Sequence, residues 1–126
     1  PWLISIGNNT EVSFDVAFIT HDGATWCFRD QDEYKGTLKF GRIRIGNNCF
    51  IGARSTILPG VTIGDNSIVA VGAVVNKSIP SGEVWGGVPA HYIMKTKDYA
   101  DKCKENTPIY DLENYRKNLL ILSIEF

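Results

Sequence analysis

The chain is short of several things, and each shortage narrows what it can be. It has two histidines in 126 residues, too few for a catalytic zinc held by three imidazoles. Its three cysteines, Cys27, Cys49 and Cys103, are odd in number and lack metal-ligand spacing. That suits a reducing, cytoplasmic compartment and gives no reason to expect a metal. No apolar run reaches the roughly 18 residues of a membrane-spanning helix. Excess charge is also missing: 13 basic and 14 acidic residues give a net −1, which argues against a nucleic-acid partner. The length allows one domain with a real core. No leader pattern is visible. The chain opens at Pro1 inside a repeat, so upstream sequence is expected, and Trp2 and Leu3 are expected to pack against it.

What is present is a period. Ile45, Ile51, Ile57, Ile63, Val69 and Val75 fall at an unbroken spacing of six. A helix repeats its apolar face at 3.6 residues and a strand at 2, so neither alone explains a strict six. It is the spacing of hexapeptide repeats in a parallel β-helix, one short strand and one corner per hexad. Gly46, Gly52, Gly64 and Ala70 follow four of these aliphatics, and the small residue is expected to serve the sharp bend of the backbone. Cys49, Ser55, Val61, Ser67 and Ala73 stand four places after successive aliphatics.

A longer repeat sizes the coil. The stretch 61–67 copies 43–49 at an offset of 18, or three hexads, so each coil has three faces. The stretch 4–10 is another copy, offset by 39 from 43–49. Removing one coil of 18 leaves a 21-residue insertion between about 22 and 42. Long loops inside compact repeats are usually functional or disordered. This one carries Trp26, Phe28 and Tyr34, which are expected to order it against a neighbouring subunit. The regular repeat ends near Gly82, and 84–90 adds a short edge strand. Beyond it a helix is expected over about 98–105, and a second from Thr107-Pro108 or Asp111, with Leu112, Tyr115, Leu119 and Leu122 on one side. The end, 119–126, reads equally as helix or strand. The expected division is a β-helix domain over 1–95 with its inserted loop, and a capping tail over 96–126.

Function on a solenoid has to come from its sites. His21 stands where the first coil opens into the insertion. It is either a solvated loop histidine or a base held by a rigid strand end, and imidazole is the commonest general base. The run Phe18, Ile19, Thr20, His21, Asp22, the hexads from Ile45 to Ser67, the stretch Val74 to Pro80 and the closing Gly87-Val88-Pro89-Ala90 together resemble the hexapeptide-repeat acyltransferases. The likeness is to the sugar and xenobiotic O-acetyltransferases, among them the galactoside, maltose and capsular-polysaccharide types, and covers about residues 4–95.

The resemblance implies a left-handed parallel β-helix, an exception to the usual right-handed crossover. It implies a homotrimer with active sites between subunits, acetyl-CoA as co-substrate and a glycan or small-molecule acceptor, with bacterial surface-polysaccharide synthesis as the setting. It also implies roles. His21 takes the acceptor hydroxyl's proton as the oxygen attacks the thioester, and the Ala53 backbone amide stabilises the oxyanion. Phe50 stands where relatives carry Trp; it either shapes the pocket or is an ordinary groove aromatic. The backbone near Val71 and Gly72 meets the pantetheine arm, and Asn76 and Lys77 the nucleotide end. Lys95, and Lys97 beside it, either meet a phosphate or are solvated surface lysines. Asp15, Trp26 and Arg29 are acceptor candidates with structural alternatives. Asp22 is not expected to orient His21, because neighbouring strand residues point to opposite faces.

Four other readings stay in view, one of them a serine acetyltransferase, whose histidine context differs. A zinc carbonic-anhydrase-like enzyme would need a third histidine. A non-catalytic trimerisation module would keep the hexads without needing His21 or the Asn76-Lys77 pair. An N-acetyltransferase of an amino sugar would use the same base.

Overall fold

The computed structural model describes the backbone of residues 2–125 and the side chains of residues 2–118. The chain winds a left-handed parallel β-helix whose coils stack as a triangular prism. The first coil is β1 (Ile4–Ile6), β2 (Glu11–Val12) and β3 (Ala17–Phe18). The insertion follows, framed by β4 (His21–Asp22) and β5 (Lys39–Phe40). The second coil is β6 (Ile43–Ile45), β7 (Phe50–Ile51) and β8 (Thr56–Ile57), and the third β9 (Thr62–Ile63), β10 (Ile68–Val69) and β11 (Val74–Val75). A partial fourth coil carries β12 (Glu83–Gly86), before β13 (His91–Lys95), α1 (Thr96–Asn106) and α2 (Leu112–Glu125).

The sheets are the faces of the prism. The first face is β1-β6-β9, the second β2-β7-β10-β12-β13, and the third β3-β8-β11. Ile6 pairs with Ile45 across an offset of 39, and Ile45 with Ile63 across 18. These are the offsets of the sequence repeat, so the insertion adds length without disturbing register.

The core is the period made solid. Ile51, Ile57, Ile63, Val69 and Val75 have no exposed surface, and Ile45 has 3%. The residues four places on are buried as well, and the polar ones reach into the next coil. Cys49 Sγ donates to the Gly64 carbonyl at 3.1 Å, Ser55 Oγ to that of Ala70 at 3.1 Å, and Ser67 Oγ to that of Pro80 at 3.0 Å. Buried hydroxyls need such partners, and here the partner ties coil to coil.

The glycine that follows three of these aliphatics serves a different purpose from the expected one. Gly52 is not left-handed; a Cβ there would meet Val71 N at 2.6 Å. It is small because the next coil passes against it. The bend falls two residues later, at Asn48 (φ 58°), Arg54 (φ 61°) and Asn66 (φ 58°).

The insertion closes on itself. β4 and β5 pair antiparallel, His21 opposite Phe40, and between them lie two 3₁₀ turns, Gly23–Cys27 and Asp32–Tyr34. Its aromatics find partners inside the loop: Phe28 meets Tyr34 edge-on at 5.3 Å, and the Arg29 guanidinium lies 5.1 Å from the Trp26 ring.

On the second face the outermost strand is β13, which pairs antiparallel with β12. The sequence pattern pointed past this strand to a helical cap. A hairpin strand satisfies the edge of β12 directly, which a helix cannot do. α1 starts from that edge, Thr96 donating its N–H to the Gly82 carbonyl at 2.9 Å and its Oγ1 to that of Asn66 at 2.8 Å. α2 is helical through Glu125, and Asp111 caps it by accepting from Glu113 N at 2.9 Å. Whether Leu119 and Leu122 share a side with Leu112 and Tyr115 lies outside the described side chains.

Candidate active site

The candidate residues stand at the corners of the prism, and two of these corners differ in their hydrogen bonding. Between the first and second faces the second residue of each turn is Asn8, Asn47 or Asp65. Asn8 N donates to Asn47 Oδ1 at 2.7 Å, and Asn47 N to Asp65 Oδ1 at 2.7 Å. Each polar side chain satisfies the amide one coil before it. A ladder from Asn9 through Asn48 to Asn66 runs alongside.

Between the second and third faces the equivalent residues are Phe14, Ala53 and Val71. None has a side chain that accepts a hydrogen bond. Their amides donate to no partner among the described residues, although the N–H of the next residue is paired in two of the turns: Arg54 N to the Phe14 carbonyl at 2.9 Å and Gly72 N to that of Ala53 at 2.8 Å. An unpaired backbone donor is costly unless water or a ligand meets it. Beside it lies a cleft of about 610 Å³ lined by Phe50, Gly52, Ala53, Val71, Val84 and Tyr99. This corner therefore offers N–H groups next to an apolar wall.

His21 lies at the corner between the third and first faces. Its ring stacks on Phe40 at 5.6 Å and 21°. Nδ1 is 3.1 Å from Thr20 Oγ1. A pocket of about 500 Å³ lined by Trp2, Leu3, Ile4, Thr20 and Phe40 adjoins it. Asp22 is turned to other work, accepting from Ala24 N at 2.9 Å and meeting Lys39 Nζ at 3.6 Å.

The expected site residues thus divide into groups. Phe50, Ala53, Val71 and Gly72 gather at the second–third corner, with Asp15 one coil earlier, 3.9 Å from Arg54 Nε. His21 stands at the third–first corner at the end of the first coil, and Asn76 and Lys77 stand there at the end of the third, both exposed. Trp26 and Arg29 belong to the loop that His21 opens. One chain does not bring the two corners together.

Comparison with known proteins agrees with this architecture. Residues 42–77 match the family described as hexapeptide repeat of succinyl-transferase. Over all 126 residues the chain is 44% identical to protein CapG of Staphylococcus aureus, covering 72% of it.

The chain belongs to the hexapeptide-repeat acyltransferases.

This acyltransferase is also 50% identical to galactoside O-acetyltransferase of Escherichia coli over 56 residues, 44% of the chain and 28% of that enzyme. It superposes on a galactoside acetyltransferase in complex with coenzyme A with a TM-score of 0.59 and 29% identity. The match covers 79% of this chain and 58% of that one.

Lys95 is less free in the acyltransferase than its position in the sequence suggests. Its Nζ lies 3.0 Å from Glu83 Oε2, while Trp85 Nε1 donates to Glu83 Oε1 at 2.9 Å. The Trp85 and Lys95 hydrogen bonds hold the Glu83 carboxyl below its ordinary value, and Glu83 in turn holds Lys95 above its own. Among the described residues Lys77 stands in no ion pair.

Tyr99, Thr20 and Phe40 were not legible as site residues. The only sequence signal for Tyr99 was its place on one helix face with Cys103, whose thiol raises the Tyr99 hydroxyl above the ordinary phenol range.

Proposed function

We propose that this protein moves the acetyl group of acetyl-CoA to a hydroxyl of a sugar or glycan. The observation that carries the reading is the unpaired Ala53 amide beside the cleft. A fixed N–H aimed at developing negative charge is what a tetrahedral oxyanion needs. The residues present suit the donor: amides at the second–third corner can meet the carbonyls of an amide-rich pantetheine arm, and the apolar wall the arm itself. Asn76 and Lys77 take the nucleotide end. Lys95 contributes only by leaving Glu83.

The reaction is a direct transfer. The acceptor oxygen attacks the thioester carbonyl carbon as His21 removes its proton. The carbon–sulfur bond then breaks, and the departing thiolate takes the proton back from His21. An already activated thioester requires no acyl-enzyme.

Because His21 and Ala53 occupy different corners, the complete site is built from two chains side by side, in keeping with a homotrimer of parallel prisms. Asp15, Trp26 and Arg29 line the acceptor side. The β-helix of 1–95 holds the chemistry, and the tail of 96–126 adds Tyr99 to the cleft wall. The similarity to galactoside O-acetyltransferase supports a sugar acceptor, and the setting proposed is surface-polysaccharide synthesis. The free thiols of Cys27, Cys49 and Cys103 support a cytoplasmic setting. No helix among the described residues is long and apolar enough to cross a membrane.

The test is acetyl transfer to a panel of sugars by full-length protein beside His21→Ala, with molar mass measured by light scattering. Transfer is expected, falling by about 10²–10⁴ in the variant, the range for losing a general base. A protein that binds no acetyl-CoA at millimolar concentration is a scaffold instead. A fully active monomer refutes the two-chain site.

A further inference from the structure

We infer that Thr20 is a positioning residue that sets the tautomer of His21. The inference rests on His21 being the base. A base that works through Nε2 needs a lone pair there and so must carry its neutral-state proton on Nδ1. Thr20 Oγ1 is 3.1 Å from Nδ1 and can accept that proton. Nε2 has no hydrogen-bond partner among the described residues and is left for the acceptor hydroxyl.

The surroundings make this a defined geometry. The Thr20 carbonyl accepts from Gly41 N at 3.0 Å, and His21 pairs with Phe40 across the β4–β5 hairpin. Ile19 N donates to the Ile57 carbonyl at 2.8 Å, so the backbone on both sides of the threonine is pinned. A β-branched side chain on a pinned backbone has few rotamers. Phe40 stacks on the imidazole at 21° and fixes the ring plane. The nearby charges are occupied elsewhere, because Asp22 and Lys39 face each other at 3.6 Å. Orientation that many catalytic histidines receive from a carboxylate falls here to a neutral hydroxyl and a ring.

When His21 takes the acceptor proton on Nε2, the imidazolium keeps its Nδ1–H on Thr20 Oγ1. When the leaving thiolate recovers the proton, the same tautomer is restored. No rearrangement separates turnovers.

The test uses full-length protein labelled with ¹⁵N-histidine, with His91→Gln to assign the signals. Wild type is expected to show a protonated Nδ1 and a bare Nε2 at His21; the opposite tautomer overturns the inference. Thr20→Val keeps the branched shape and removes the acceptor. It is expected to lower kcat about tenfold, the worth of roughly one hydrogen bond, with KM for acetyl-CoA unchanged, and to populate the other tautomer. Thr20→Ser is expected to restore kcat and tautomer together. A valine variant with wild-type kcat, or a serine variant as slow as the valine one, also overturns it. His21→Ala runs alongside: an active His21→Ala sinks the base, whereas an inactive His21→Ala beside a fully active Thr20→Val sinks only the role of Thr20. If Thr20→Val does not fold, the wild-type tautomer and the serine variant still decide.

Discussion

Replacing Ala53 by proline would delete the proposed oxyanion donor and set the ring Cδ in its place. The residue is second in a four-residue turn closed by Ser55 N on the Gly52 carbonyl at 3.3 Å, with Arg54 left-handed at φ 61°. The same turn occurs at the third–first corner, closed by Val61 N on the Leu58 carbonyl at 3.4 Å, with Gly60 at φ 81°. Its second residue is already Pro59. The fold thus accepts proline at this place in a hexad, as turns with a left-handed third residue generally do. The Ala53 N–H donates to nothing among the described residues, so its loss breaks no internal hydrogen bond, and the Ala53 carbonyl keeps its bond from Gly72 N. Stability should therefore change by no more than about 1 kcal/mol, in either direction. Removing one oxyanion donor costs about 10²–10³ in kcat, or roughly 2.7–4 kcal/mol of barrier. The assay is thiol release from acetyl-CoA with a saturating sugar, beside a thermal melt of each protein. A variant that melts like wild type and keeps kcat within a factor of two or three would refute the assignment of this amide.

Two further outcomes follow from the packing and the charges. Ile57→Ala, in the middle coil and without exposed surface, should lower stability by about 2–5 kcal/mol, read from urea unfolding; a loss under about 1 kcal/mol would mean the coils collapse onto the void. The Glu83–Lys95 pair should leave a pH signature. Glu83 lies below its ordinary 4.5, so its contribution is present above that value and fades as pH falls through the depressed one. Lys95 lies above its ordinary 10.5, so its share is present below that value and is lost as pH rises through the raised one. Glu83→Gln should flatten stability against pH at both ends, and melts across pH that match wild type would count against the pair.

The boundary between what could and could not be read in advance runs through particular residues. Ile45 to Val75 at a spacing of six predicted a three-faced coil, and every one of them is buried. The offsets of 18 and 39 predicted the register, and the strands pair on those offsets. The strand β13 was missed because His91–Lys95 has no hexad period; its partner, β12, lies across a hairpin rather than a coil. Lys95 read as a free cation because Glu83, twelve residues earlier, becomes its neighbour only when that hairpin folds.

By itself the sequence determined the repeat, the inward residues and the stacking register. These are consequences of a short rule applied over and over: one aliphatic per hexad must leave water, and only one spacing lets each coil cover the last. Tertiary structure decided which backbone groups remain without a partner. Among the described residues the Ala53 amide has no partner because Val71, 18 residues on, offers no acceptor, whereas the Asn47 amide is taken because Asp65, also 18 residues on, does. The surroundings of His21 likewise depend on Thr20, 3.1 Å from its Nδ1, and on Phe40, brought back through a 3.0 Å bond from Gly41 N to the Thr20 carbonyl. Burial can be read from a pattern, but the occupancy of a hydrogen bond depends on which groups the stacked coils finally place within about 3 Å of each other.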